Sequence, residues 1–262
     1  MTLGEALRRA GIDPREARLL LGAATGFSQS AVLAFPERLL PGESEKAFFS
    51  FVSRRAAGEP IAYILGRKEF YGLELEVDAA VLIPRPETEL LVELALQRHF
   101  SSALDLGTGC GAIALALKRQ RPDARVVAAD ESDAALEVAR RNSLRLGVDL
   151  ELRQGRWFEP FAGERFDLVV SNPPYVAAGD PHLADLGFEP ACALVAGPDG
   201  LDALREIARD APRHLAPGGW LLVEHGIGQE HAVRRLLQQA GLEALQSWPD
   251  LSGIARVAGA RR

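Results

Sequence analysis

The chain of 262 residues is 47% hydrophobic and 25% charged, with a formal net charge of −6, values that suit one large globular domain or one with a smaller partner. No stretch approaches the ~20 apolar residues of a membrane span, the start Met1–Arg9 has no apolar signal core, and Cys110 and Cys192 give neither a disulfide framework nor metal-ligand spacing. A cytoplasmic protein without a metal site is expected, and the acidic excess in residues 71–262 speaks against stable nucleic-acid binding.

Residues 2–57 read as helices. Leu3, Ala6, Leu7 and Ala10 share one face, and Gly11 ends the turn. Asp13 can cap a second helix that has Pro14 at its first position and Ala17, Leu20, Leu21 and Ala24 on its apolar face. Ser28 or Ser30 opens a third helix, and a fourth follows Pro41-Gly42, with Phe48, Phe51 and Val52 inward. A helical domain over 1–60 follows, either a packed cap or a docking module for a macromolecule. Phe70–Val77 alternates and predicts a strand in a hairpin that continues to Ile83, so 61–84 reads as a linker. Pro86 suits a helix start, and that helix should run to about Arg98.

From residue 85 to 262 one larger domain is expected. Strands are predicted at 102–106, 125–129, 149–153, 167–171, 219–224, 243–247 and 254–258, with helices at 111–120, 133–146, 200–215 and 228–240. This alternation predicts an α/β, doubly wound, mostly parallel seven-stranded sheet.

The strand at 102–106 runs into Gly107-Thr108-Gly109-Cys110-Gly111, and a helix follows at once. Glycines permit a close backbone approach to a ligand, and a helix N-terminus offers free N–H groups. The next strand ends at Asp130, where an acid can accept from ribose hydroxyls. A dinucleotide loop fits these features too. Asp105 counts against it, because its charge opposes a pyrophosphate and suits an amino-bearing ligand; alternatively it only caps the loop. The strand at 167–171 stops in Asn172-Pro173-Pro174-Tyr175. Two prolines stop the strand and leave an amide, a free carbonyl and an aromatic ring at the ligand-bearing end of the sheet. That trio suits a planar NH2 group, with the Asn172 side-chain oxygen and the Pro173 carbonyl accepting hydrogen bonds from its two N–H groups and Tyr175 stacking on its plane. Together the two motifs fit S-adenosylmethionine and methyl transfer to nitrogen.

Further motifs stand along the chain: Pro60–Gly66, Ile83-Pro84-Arg85-Pro86-Glu87-Thr88-Glu89, Phe188-Glu189-Pro190, Asp199-Gly200-Leu201 and Glu224-His225-Gly226. With Asp105–Gly111 and Ser171–Tyr175, and in this order over the whole chain, they resemble the HemK/PrmC family of peptide-chain release factor glutamine methyltransferases. The resemblance implies a class I methyltransferase domain with a helical N-terminal domain, acting on the glutamine of a Gly-Gly-Gln motif. It implies cofactor contacts at Asp105, Gly107, Thr108, Gly109, Cys110, Gly111, Asp130, Trp157 and Asn172. Asn172, Pro173, Pro174 and Tyr175 would hold the glutamine, with Arg85 over the site, and a monomer is expected. Trp157 reads otherwise as a core aromatic, and Arg85 as part of a helix-start turn. One position departs from the family: Arg156 stands where an acidic residue is common, and Arg has no acceptor for the adenine amino group. An adenine-N6 methyltransferase and a non-catalytic nucleotide-binding protein are the competing readings.

Overall fold

The computed structural model describes residues 1–262, which form two compact units, Met1–Arg67 and Lys68–Arg262. The first unit holds α1 (Leu3–Arg9), α2 (Pro14–Thr25), α3 (Gln29–Ala34), α4 (Gly42–Ala56) and α5 (Ile61–Leu65). Local chemistry sets their ends. Thr2 and Glu5 form a capping box on α1, and Asp13 accepts from the N–H groups of Arg15 and Glu16 at the start of α2. Leu3, Leu20, Leu21 and Phe48 are fully buried in the core of the bundle, each contributing ~1.5–3 kcal/mol. The helix α5 lies where the sequence suggested only linker. Pro60 opens it and Gly66 closes it in the left-handed region, leaving five residues, too few to show periodicity.

The hairpin differs from the expected one. β1 (Arg67–Phe70) and β2 (Leu73–Glu76) pair across Tyr71-Gly72, whose φ values are 51° and 73°. Two positive φ angles in a two-residue turn match the twist of a hairpin, so the break falls at Gly72 and not beyond Val77. Leu73, Leu75 and Val77 still point inward.

The second unit also contains α6 (Glu89–Leu96), β3 (Ser102–Leu106), α7 (Ala112–Gln120), β4 (Arg125–Asp130), α8 (Asp133–Leu146), β5 (Glu151–Gln154), β6 (Phe166–Ser171), α9 (Asp202–His214), β7 (Leu215–Glu224), α10 (Glu230–Gln239), β8 (Glu243–Pro249) and β9 (Ala255–Arg261). Its seven-stranded sheet has the order β5-β4-β3-β6-β7-β9-β8. The first five strands are parallel, and β9 runs antiparallel to both neighbours. β3 and β6 are buried along almost their whole length, as strands covered on both faces must be. α9 presents Leu204, Ile207, Ala208 and Ala211 to the sheet at helical spacing.

Candidate active site

The register of two strands places the site. Leu106 of β3 lies opposite Ser171 of β6, so the chain leaves both strands side by side, at Gly107 and at Asn172. On the other flank Leu106 pairs with Ala129, which brings Asp130 to the same edge. The connections diverge on either side of β3, and in such sheets a crevice opens there.

Gly107, Gly109 and Gly111 have φ values of 70°, 56° and 86°, which L side chains rarely adopt. The tight turn lets the N–H groups of Gly107 and Thr108 both donate to the Ala129 carbonyl, at 2.9 and 3.0 Å. The Trp157 ring fills the space beside Gly107, where an added Cβ would lie 3.4 Å from Cζ3. Asp130 accepts from Gly109 N at 2.9 Å and from Ser132 N at 3.0 Å, and burial pushes its pKa up. Each of its oxygens keeps a lone pair for a further donor.

A cavity of about 550 Å³ occupies the crevice. Gly107, Thr108, Gly109, Cys110, Asp130 and Trp157 line it, and so do Asn172 and Pro174. Arg85, Asp105, Gly111, Pro173 and Tyr175 are not part of this lining. The Asp105 carboxyl is buried under the glycine loop, accepting from Thr108 Oγ1 at 2.7 Å and Ala114 N at 3.3 Å. Its other oxygen is buried without a partner, and burial pushes its pKa up to about 7. Burial also raises the Cys110 thiol to about 12, so it offers bulk, not a thiolate. The donor set fits S-adenosylmethionine: an acid for a diol, an indole for a base, and an unpartnered carboxyl oxygen beneath the loop.

The Asn-Pro-Pro-Tyr turn is anchored at both ends. Asn172 Nδ2 donates to Thr88 Oγ1 at 3.1 Å. The Tyr175 hydroxyl donates to Glu224 Oε1 at 3.1 Å, and the Tyr175 carbonyl accepts from Gln229 Nε2 at 2.9 Å. Burial raises the Tyr175 pKa above its ordinary value, with the Glu224 charge adding to it, so the phenol stays protonated. His225 is fully buried, and burial lowers its pKa.

Two family models match the chain: a PrmC N-terminal domain over residues 3–66 and a methyltransferase small domain over residues 86–186. The chain is 49% identical over 253 residues to the release factor glutamine methyltransferase of Xylella fastidiosa, covering 94% of this chain and 92% of that one. It is 46% identical to the enzyme of the same description from Burkholderia pseudomallei, covering 99% and 96%. The chain belongs to the release factor glutamine methyltransferase family. Its fold is that of class I methyltransferases. A methyltransferase from Pyrococcus furiosus superposes with a TM-score of 0.58 at 19% identity, over 80% of this chain and 96% of that one. A 16S rRNA methyltransferase from T. thermophilus, solved with AdoMet and guanosine, gives 0.54 at 22% identity, over 75% and 49%. The enzyme's methyl donor is S-adenosylmethionine.

Arg156, the position that departs from the family, is held by Glu206 through Nε at 3.0 Å and Nη2 at 2.8 Å, and by Glu131 through Nη1 at 3.1 Å. These hydrogen bonds raise its pKa further. Glu131 and Glu206 also line the cavity, so acidic side chains stand near position 156 although the residue itself is basic. Arg85 pairs with the buried carboxylate of Glu189, whose second oxygen accepts from Ile83 N at 3.0 Å. The Ile83–Glu89 and Phe188–Pro190 segments are thereby joined. Sequence reading did not single out Asn142, which ties β2 to the carbonyl of Cys110, nor Thr88 and Gln229. Their contacts span 32, 84 and 54 residues of chain, and no local pattern marks them.

Proposed function

We propose that this enzyme methylates the side-chain amide nitrogen of a glutamine in peptide-chain release factors, in the Gly-Gly-Gln motif that the family resemblance implies. The observation that carries this reading is the state of Asn172. Its Nδ2 is engaged by Thr88, which leaves Oδ1 as an acceptor on a residue that lines the cavity.

When bound, S-adenosylmethionine supplies an electrophilic methyl group and is left as S-adenosylhomocysteine. Asp130 would hold the ribose hydroxyls, Trp157 would pack on the adenine, and the glycine loop would take the amino-acid moiety beside its N–H groups. A glutamine amide is a poor nucleophile because its lone pair is delocalised into the carbonyl. Asn172 Oδ1 and the Pro173 carbonyl accept hydrogen bonds from its two N–H groups, which orients the nitrogen and stabilises the positive charge that develops there until the methylated nitrogen releases one of those protons to solvent. The Tyr175 ring adds cation–π stabilisation as that charge appears. Pro174 stiffens the turn, so little reorganisation is required. The Arg85 segment flanks the incoming peptide, and the helical unit Met1–Arg67 is the docking candidate for the rest of the release factor. The protein acts as a cytoplasmic monomer, and its net acidity speaks against stable nucleic-acid binding.

Methyl transfer from labelled S-adenosylmethionine to a purified release factor tests this. Transfer should vanish when the glutamine of the motif becomes alanine, and equal labelling of that mutant would refute the reading.

A further inference from the structure

A carboxamide has two ends, and only one of them can serve this reaction. Oδ1 accepts from the substrate nitrogen, whereas Nδ2 would present protons to protons. Asn172 lies at the cavity surface, so its own strand does not decide which end faces the ligand. The partner that does decide is Thr88, at the end of the short 3-10 turn Pro86–Thr88. Its hydroxyl is the atom to which Asn172 Nδ2 donates, and the residue is 4% exposed.

A hydroxyl alone is ambivalent, because it can accept from Nδ2 or donate to Oδ1. In this site it accepts, with Asn172 Nδ2 donating at 3.1 Å. Glu224, at the carboxyl end of β7, stands at the same sheet edge as Asn172, because Ser171 pairs with Val223 across β6 and β7. It is 1% exposed. Its Oε1 accepts from the Tyr175 hydroxyl, and its Oε2 is buried with no hydrogen-bond partner. An unsatisfied acceptor at that edge favours a hydroxyl proton turned toward it and away from Asn172. We propose that Thr88, the acceptor for Asn172 Nδ2, is a positioning residue that fixes the orientation of the Asn172 carboxamide with Oδ1 toward the reacting nitrogen. This rests on the amide-binding role of Asn172 given above.

The test compares Thr88→Val, which keeps the shape and removes the hydroxyl, with Thr88→Ser, which keeps the hydroxyl. Thr88→Ala serves as a second hydroxyl-free variant should valine disturb folding. Turnover on a release factor, KM for that protein and S-adenosylhomocysteine affinity by calorimetry are measured for each, and again in an Asn172→Ala background. The loss of one oriented hydrogen bond should lower kcat by about ten- to thirtyfold in Thr88→Val. Cofactor affinity should stay within about twofold, and Thr88→Ser should recover to within about threefold of wild type. In the Asn172→Ala background the valine substitution should cost nothing more, since the group it orients is gone. Turnover of the hydroxyl-free variants near wild type, an equal loss in Thr88→Ser, or the same fold-loss with and without Asn172 would each overturn the proposal. Wild-type turnover by Asn172→Ala itself would instead overturn the amide-binding reading beneath it.

Discussion

Asp105→Asn should change the pH dependence of stability in a direction the burial of Asp105 dictates. In the folded protein its carboxyl titrates at about 7, against an ordinary value of 3.8. The folded state therefore holds the proton more tightly than the unfolded chain. Between pH 4 and 7 the folded form stays largely protonated while the unfolded form has lost its proton, so raising the pH over this window destabilises the wild type. At ~1.4 kcal/mol per pH unit the full effect approaches roughly 4 kcal/mol, a ceiling that relaxation of the loop lowers. Asparagine has no such titration. It retains an acceptor for Thr108 Oγ1 and Ala114 N but places a buried NH2 where Oδ1 had no partner, at a pH-independent cost of ~1–3 kcal/mol. The variant's stability relative to wild type should therefore rise by a few kcal/mol from pH 4 to 7 and level off above. Urea unfolding of the ligand-free proteins at a series of pH values measures it. A difference that stays flat within about 0.5 kcal/mol would show that Asp105 is not held in a proton-retaining site. S-adenosylmethionine affinity should fall in the same variant, because an acceptor has become a donor.

Gly107→Ala should destabilise the protein by ~1–2 kcal/mol, since φ is +70° and only glycine holds that angle without strain. The new methyl also meets Trp157, so calorimetry should show weaker S-adenosylhomocysteine binding. Glu189→Ala strips the partner from both Arg85 and Ile83 N and should cost about 2–4 kcal/mol in urea unfolding, as expected for breaking a largely buried pair. Tyr175→Phe keeps the ring and loses only the bond to Glu224. Its turnover should fall less than that of Tyr175→Ala, with cofactor affinity unchanged in both, and steady-state kinetics with calorimetry checks the order.

Much of this architecture was legible because the central strands of the sheet are buried. Apolar runs such as Ala103-Leu104 and Leu168-Val169-Val170 form its central strands, and the glycine loop and the proline turn mark where those strands stop. What stayed hidden has a common physical cause. The turn at Tyr71-Gly72 follows a short strand in which only Phe70 is buried, so no alternation on its near side marks the break. Five residues between Pro60 and Gly66 make a helix too short for its period to register. Asp105 was readable as an acid beside a ligand loop, but its place under the loop depends on Thr108 and α7 folding over it. Thr88 and Glu224 were visible as residues in two motifs. Their relation to Asn172 and Tyr175 exists only when β6 and β7 lie side by side and the Pro86–Thr88 turn packs against them.

The central claim is that this enzyme methylates a glutamine side-chain nitrogen held by Asn172. Fragment mass mapping of a release factor incubated with S-adenosylmethionine and either the wild-type enzyme or Asn172→Ala tests it most directly. The account predicts one added methyl group, on the glutamine of the Gly-Gly-Gln motif, with the wild type and almost none with the variant. A methyl group on another residue, or equal modification by Asn172→Ala, would contradict it.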